Sequence, residues 1–240
     1  MPGGGTPLLH TGYSEAADLL LNLVIEKNQQ QDIYFPVWGS CLSFQKFVTY
    51  FTGNRIEWDT RCDVENVSLS LQFSPDLTEH SSKMLRNAGR DIMQILSNNP
   101  VTPNYHISCL SLEYFRHNHN LSSQFLVVST NTNLKGLVFV STMEHRQYPI
   151  YASQWHPEKI QFEWVVNESV GNINHDAEAI QVGQYFSNFL VNEARKNGQH
   201  FVNKTEEISR LMYNYHKYLV YTGPNRGADF EEIYQFPLKM

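Results

Sequence analysis

The chain has little cysteine and no block of positive charge, and both scarcities narrow what it can be. Its three cysteines, Cys41, Cys62 and Cys109, are spaced too widely for a CxxC metal site and do not form the pattern of a disulfide framework. Three cannot all pair, so at least one thiol is free unless the chain dimerises through it. No cluster of Lys and Arg makes a stripe that could replace phosphate counterions, and the formal net charge of −6 argues against a nucleic-acid partner. No apolar run reaches the ~18 residues needed to span a bilayer, so membrane insertion is not expected. Nor does a basic and then apolar leader open the sequence, although Asn-x-Ser/Thr triplets at Asn66, Asn120, Asn167 and Asn203 permit a secretory route.

What is present is the composition of an ordinary globular protein, 41% hydrophobic and 18% charged over 240 residues, which suffices for one α/β core. There is no internal repeat, low-complexity tract or clear linker, so residues 1–240 read as a single domain with an irregular aromatic C-terminal segment. Apolar residues at helical spacing predict a helix from Ser14, as N-cap, to about Lys27. DIYFPVWGS then reads as a short buried strand, and Phe44, Phe47, Val48 and Phe51 place a second helix from Leu42 to Phe51 with Gly53 as its stop. A β-prone stretch follows at Val67–Phe73, then a helix from Ser82 to Leu96 that ends at NNP. FLVVSTNT, LVFVSTME and YPIYASQWH are strand candidates, the first two joined as a hairpin through Asn133–Gly136. A last long helix is expected from Asp176 to Lys196. Helix, strand, cysteine, helix is the order of an α/β protein with a mostly parallel central sheet flanked by helices, its functional groups at the carboxyl ends of strands.

Cys41 stands where the first strand stops and a helix begins, at GSCLS. A sharp turn there lifts a sulfur above the sheet, and the helix N-terminus favours a thiolate. An isolated cysteine is otherwise first a small buried hydrophobe. QWHPE adds a second signal: in an extended segment His156 and Glu158 share a face, with Pro157 restricting their separation, so the carboxylate can orient an imidazole that takes a thiol proton. Pro2-Gly3-Gly4-Gly5 is first of all a turn, but glycines also let backbone N–H groups approach an anionic oxygen.

In order along the chain, PGGG, YFPVWGSCLSF, TPNYHISCLS, STNT, FVSTMEHRQYPIYASQWHPEK, FLVNEARKN and YTG resemble the γ-glutamyl hydrolases, the folate-polyglutamate-trimming branch of the class I glutamine amidotransferase-like enzymes. The resemblance implies Cys41 as nucleophile, His156 as general base, Glu158 as its orienting partner, and Gly3 and Gly4 as oxyanion or substrate contacts. It also implies a substrate contact for His106, which by itself reads as a core or loop histidine. The implied substrate is a poly-γ-glutamyl folate, cleaved through a thioester with no metal or organic cofactor. A homodimer and a lysosomal or extracellular location are implied too; a start at Met1 without a leader would instead leave the chain cytosolic. Two residues depart from the pattern. Ser43 replaces the second glycine of the family's GTCLG, where a Cβ in a tight helix contact can cost about 1 kcal/mol, and Gln45 replaces a glutamate near the nucleophile. The family's first strand-helix units, which precede the PGGS turn, are expected to be missing. These departures leave one alternative, a catalytically impaired paralogue or truncated isoform that keeps the fold, and the shared Cys-His-Glu chemistry leaves another, a glutamine amidotransferase subunit passing ammonia to a synthase.

Overall fold

Local chemistry sets the first elements. Thr11, in extended conformation, accepts the Ser14 N–H on its hydroxyl and so starts α1 (Gly12–Gln29) a turn before the Ser14 cap read from the pattern. α1 sends Ala17, Leu21 and Val24 into the core. β1 (Val37–Ser40) runs directly into α2 (Leu42–Phe51), which is buried along almost its whole surface. The computed structural model describes residues 1–30, 33–75, 77, 81–164, 171–219 and 232–236. The sequon at Asn167 and the YTG stretch lie outside these residues.

Next come β2 (Asp59–Leu69), β3 (Gln72–Phe73) and α3 (Arg90–Asn98). The helix expected from Ser82 begins only at Arg90. The buried Glu144 carboxylate captures the Ser82 hydroxyl and the Lys83 and Met84 N–H groups, at 3.0, 2.7 and 3.0 Å, and holds that stretch as a turn. β4 (Thr102–Leu110) pairs antiparallel with β2 across two register shifts. The chain continues through α4 (Leu112–His117), α5 (His119–Ser122), β5 (Phe125–Thr132), β6 (Val138–His145), β7 (Ile150–Ser153) and α6 (Ala177–Ala194). Beyond the last clear periodicity it still forms α7 (Lys204–Ser209) and an antiparallel pair of β8 (His216–Leu219) with β9 (Glu232–Gln235).

The α/β class stands, but the sheet is mixed where the alternation of elements predicted a mostly parallel one. Its order is β1-β7-β6-β5-β3, and only β1 and β7 run parallel. The connections are the reason. β5 and β6 are joined by the expected tight turn at Asn133–Gly136, and β6 and β7 by only the residues between His145 and Ile150, too few for a parallel crossover. β1 and β7 lie far apart in sequence and are free to run parallel.

The sheet carries a core on each face. Phe44, Phe47, Phe51, Phe125 and Met143 fill one side with α1 and α2, and Trp38, Tyr151, Trp155, Val182 and Phe186 fill the other with α3 and α6. Among the described residues no helix is long and apolar enough to cross a membrane.

The cysteines settle a pairing that the sequence left open. Cys62 on β2 and Cys109 on β4 form a disulfide, with Cα atoms 5.8 Å apart, and Cys41 is the free thiol. Their 47-residue separation carries no signature in sequence, because the β2–β4 register, not the spacing, brings them together.

Candidate active site

The site exists because the parallel pair ends in step. Ser40 at the end of β1 is registered with Ser153 at the end of β7, so the residues that follow each strand, Cys41 and Gln154-Trp155-His156, emerge side by side. The Cys41 N–H donates to the Ser153 carbonyl at 2.8 Å, extending the ladder by one step. Cys41 then turns sharply, with φ 52° and ψ −105°, a conformation that costs a non-glycine residue of order 1–3 kcal/mol and that the packed α2 enforces. Gly39 makes the turn possible. A Cβ on it would lie 2.8 Å from the Phe47 ring and 3.0 Å from the Ser43 Cβ, so only glycine lets α2 settle this close to β1.

His156 is 5% exposed, with its N–H bonded to the Pro103 carbonyl at 2.9 Å and its ring edge-on to Tyr105. Its Nδ1 is 2.7 Å from Glu158 Oε1, which leaves Nε2 as the ring nitrogen open to Cys41. Burial alone would pull the imidazole down, but the hydrogen bonds and charges of Cys41 and Glu158 outweigh it and hold His156 up at about 9. The Glu158 side chain is half-exposed, so the upward push of its partial burial is slight, and the hydrogen bond and charge of His156 hold its carboxyl below the ordinary carboxylate range. Glu158 also borders an open cavity of about 300 Å³ lined by Trp38, Ser40, Pro157, Phe186 and Leu190.

The glycine turn closes the arrangement. A Cβ on Gly3 would lie 2.8 Å from His156 Cε1 and 3.3 Å from Cys41 Cβ, and one on Gly4 would lie 3.3 Å from Leu42. The Gly3 backbone therefore lies against the imidazole and the Cys41 Cβ, where a side chain would intrude. Leu42 is the first residue of α2, and a helix leaves its first N–H groups without an internal acceptor.

Five of the six residues singled out in the sequence thus gather at one place: Cys41, His156, Glu158, Gly3 and Gly4. His106 instead packs on the disulfide, 4% exposed on β4, with its ring against Phe139 and Nδ1 3.6 and 3.5 Å from the Cys62 and Cys109 sulfurs. Its Nδ1 lies 3.1 Å from the Ser108 carbonyl and its Nε2 3.0 Å from Asn104 Oδ1, so both nitrogens face partners within the protein. Burial pushes it down to about 3 and keeps it neutral, and a neutral ring donates to only one of those acceptors. Cys62, His106 and Cys109 are grouped closely enough for a metal, but the disulfide consumes both thiolates.

Gln45 ties α2 to β4. Its Nε2 donates to the Ser108 carbonyl at 3.1 Å, where a glutamate would set one acceptor against another. Nothing in the sequence singles out Tyr13, whose hydroxyl comes within 2.7 Å of Ser43 Oγ, because that contact depends on how α1 crosses α2.

No family model matches the chain. Curated relatives do. γ-Glutamyl hydrolase of Mus musculus is 35% identical over 236 residues, covering 98% of this chain and 70% of that protein. The Homo sapiens enzyme of the same name is 36% identical over 235 residues, with the same 98% and 70% coverage. γ-Glutamyl hydrolase B of Dictyostelium discoideum is 33% identical over 237 residues, covering 98% of this chain and 65% of that protein. Among solved structures, a putative GMP synthase subunit from Thermoplasma acidophilum superposes with a TM-score of 0.34 at 13% identity over 75% of this chain and 69% of that one, too loosely to carry an argument. Identity at this level across nearly the whole chain places it in the γ-glutamyl hydrolase family, and it is an enzyme of that class.

Proposed function

We propose that this γ-glutamyl hydrolase is a cysteine-type enzyme acting on poly-γ-glutamates such as those of folates, with residues 1–240 forming one catalytic unit. The observation that carries the reading is His156 set beside Cys41, with Glu158 2.7 Å from its Nδ1 and the ring's charged form favoured by both. In this mechanism the Cys41 proton already rests on His156, and the sulfur attacks the γ-amide carbonyl carbon as a thiolate. The carbonyl oxygen becomes an oxyanion next to the Gly3, Gly4 and Leu42 N–H groups. When the tetrahedral adduct collapses, the C–N bond breaks and His156 protonates the leaving amine nitrogen. A thioester on Cys41 remains. Water, deprotonated by His156, attacks it, and collapse of that adduct releases the free γ-carboxylate and the Cys41 sulfur, leaving the proton on His156. Glu158 keeps the ring in one orientation and stabilises its charged form throughout.

The test is mass-spectrometric measurement of glutamate released from a γ-linked triglutamyl folate by the folded chain and by Cys41→Ala. Release that falls by about 10³-fold or more in the variant supports the reading. Equal release from both chains would overturn it.

A further inference from the structure

Ser43 looks like a defect in the elbow when only the sequence is read, yet its side chain makes one of the most connected polar contacts near the site. It is fully buried at the second position of α2, and its hydroxyl lies 2.7 Å from the Pro2 carbonyl oxygen and 2.7 Å from the Tyr13 hydroxyl. With the Ser43 proton given to Pro2, the Ser43 oxygen accepts from Tyr13, whose own oxygen stands 3.4 Å from Pro2 O. Three separate segments, α1, α2 and the glycine turn, are thereby tied at one point.

The Pro2 carbonyl belongs to the same peptide group as the Gly3 N–H. That group is planar and trans, so fixing the direction of the C=O fixes the direction of the N–H. Gly3 is also the residue whose backbone lies against His156 and Cys41. Successive glycines place almost no steric barrier on rotation of their peptides, so one orientation must be imposed from outside the turn. The close approach of Ser43 to β1 is accommodated by Gly39, whose missing Cβ leaves room for that of Ser43.

We propose that Ser43, backed by Tyr13, is a positioning residue that locks the Pro2–Gly3 peptide so that the Gly3 N–H is preset for the oxyanion. This rests on the reading of Cys41 as nucleophile, and the experiment separates the two. Ser43→Ala, and Ser43→Ala with Tyr13→Phe to remove the fallback contact, are compared with the parent chain in three measurements. These are kcat and KM on γ-linked triglutamyl folate, the rate of Cys41 alkylation by iodoacetamide, and the ¹⁵N–¹H amide signal of Gly3.

The expected result is a kcat lowered about tenfold or more with KM little changed. Alkylation, which forms no oxyanion, stays within about twofold of the parent. The Gly3 amide signal shifts and broadens, and more so in the double variant. An unchanged Gly3 amide, or a kcat loss matched by an equal loss of alkylation, overturns the proposal, the latter because it would mean a damaged elbow. If Gly3 responds but the parent shows no turnover that depends on Cys41, the lock stands and the proposed reaction fails.

Discussion

Two buried histidines, one at the end of β7 and one on β4, are treated in opposite ways by the same fold. His156 and His106 are almost equally hidden from solvent, yet one is held up at about 9 and the other pushed down to about 3. Burial acts in the same direction on both, so it cannot be the cause of the difference. The partners are. His156 has a carboxylate on Nδ1 and a cysteine sulfur opposite, both of which reward the imidazolium, whereas His106 has a carbonyl, an amide and a disulfide, none of which carries charge. A further push comes from His156 itself, whose positive charge disfavours a second one at His106. A buried histidine becomes an acid or base only where the fold gives it an ionic partner.

The contrast is broken most strongly by removing that partner. Glu158→Gln keeps the size of the side chain and a contact to Nδ1 but lets the ring adopt the wrong tautomer, and kcat is expected to fall by ~10²–10⁴-fold with little loss of folded protein. Steady-state kinetics with thermal unfolding as the control checks this. A change of less than about threefold would show that Glu158 does not orient the ring.

A smaller effect is expected from opening the other histidine's surroundings. Replacing both Cys62 and Cys109 with Ser unties β2 from β4 and should lower stability by about 2–4 kcal/mol, read from urea unfolding. Per folded molecule, activity should fall far less than in Glu158→Gln, because the disulfide supports the His106 side and not the β1–β7 side.

The smallest effects are in the pH dependence of stability, where the two histidines work on opposite flanks. His156 has a folded-state value above the ~6.5 of an exposed histidine, so its contribution is complete below ~6.5 and is lost as pH rises through about 9. His106 has a folded-state value below ~6.5, so the unfolded chain binds a proton that the folded chain refuses. Its contribution is present above ~6.5 and is lost as pH falls toward about 3. His106→Gln should therefore flatten the acid-side loss of stability by up to ~1.4 kcal/mol per pH unit, and Glu158→Gln should flatten the alkaline side. Urea midpoints at pH 5, 7 and 9 decide both.

What could be read in the sequence was what is local. The elbow was legible because strand, glycine, cysteine and helix are consecutive, and the His156–Glu158 pair because the two residues flank a single proline. Gly3 and Gly4 were legible only as a turn or by resemblance, since nothing in the sequence says that Gly3 lies on His156. Long-range facts escaped. Sheet direction depended on connection lengths around β6, and the disulfide on a register interrupted twice between Arg61 and Val67. The late start of α3 depended on Glu144, some sixty residues downstream in the chain. Ser43 is the clearest case: its Cβ suggested a packing penalty, while its hydroxyl, reaching Pro2 and Tyr13, is the part that acts.

The most direct test of the two-histidine account is a ¹⁵N NMR titration of the histidine side chains in the parent chain, with His156→Gln and His106→Gln used for assignment. The expected result is a His156 ring that is an imidazolium at pH 7 and loses its proton only near pH 9, beside a His106 ring that stays neutral from pH 7 down to at least pH 4. A neutral His156 at pH 7, or a His106 that titrates near 6.5, would contradict it.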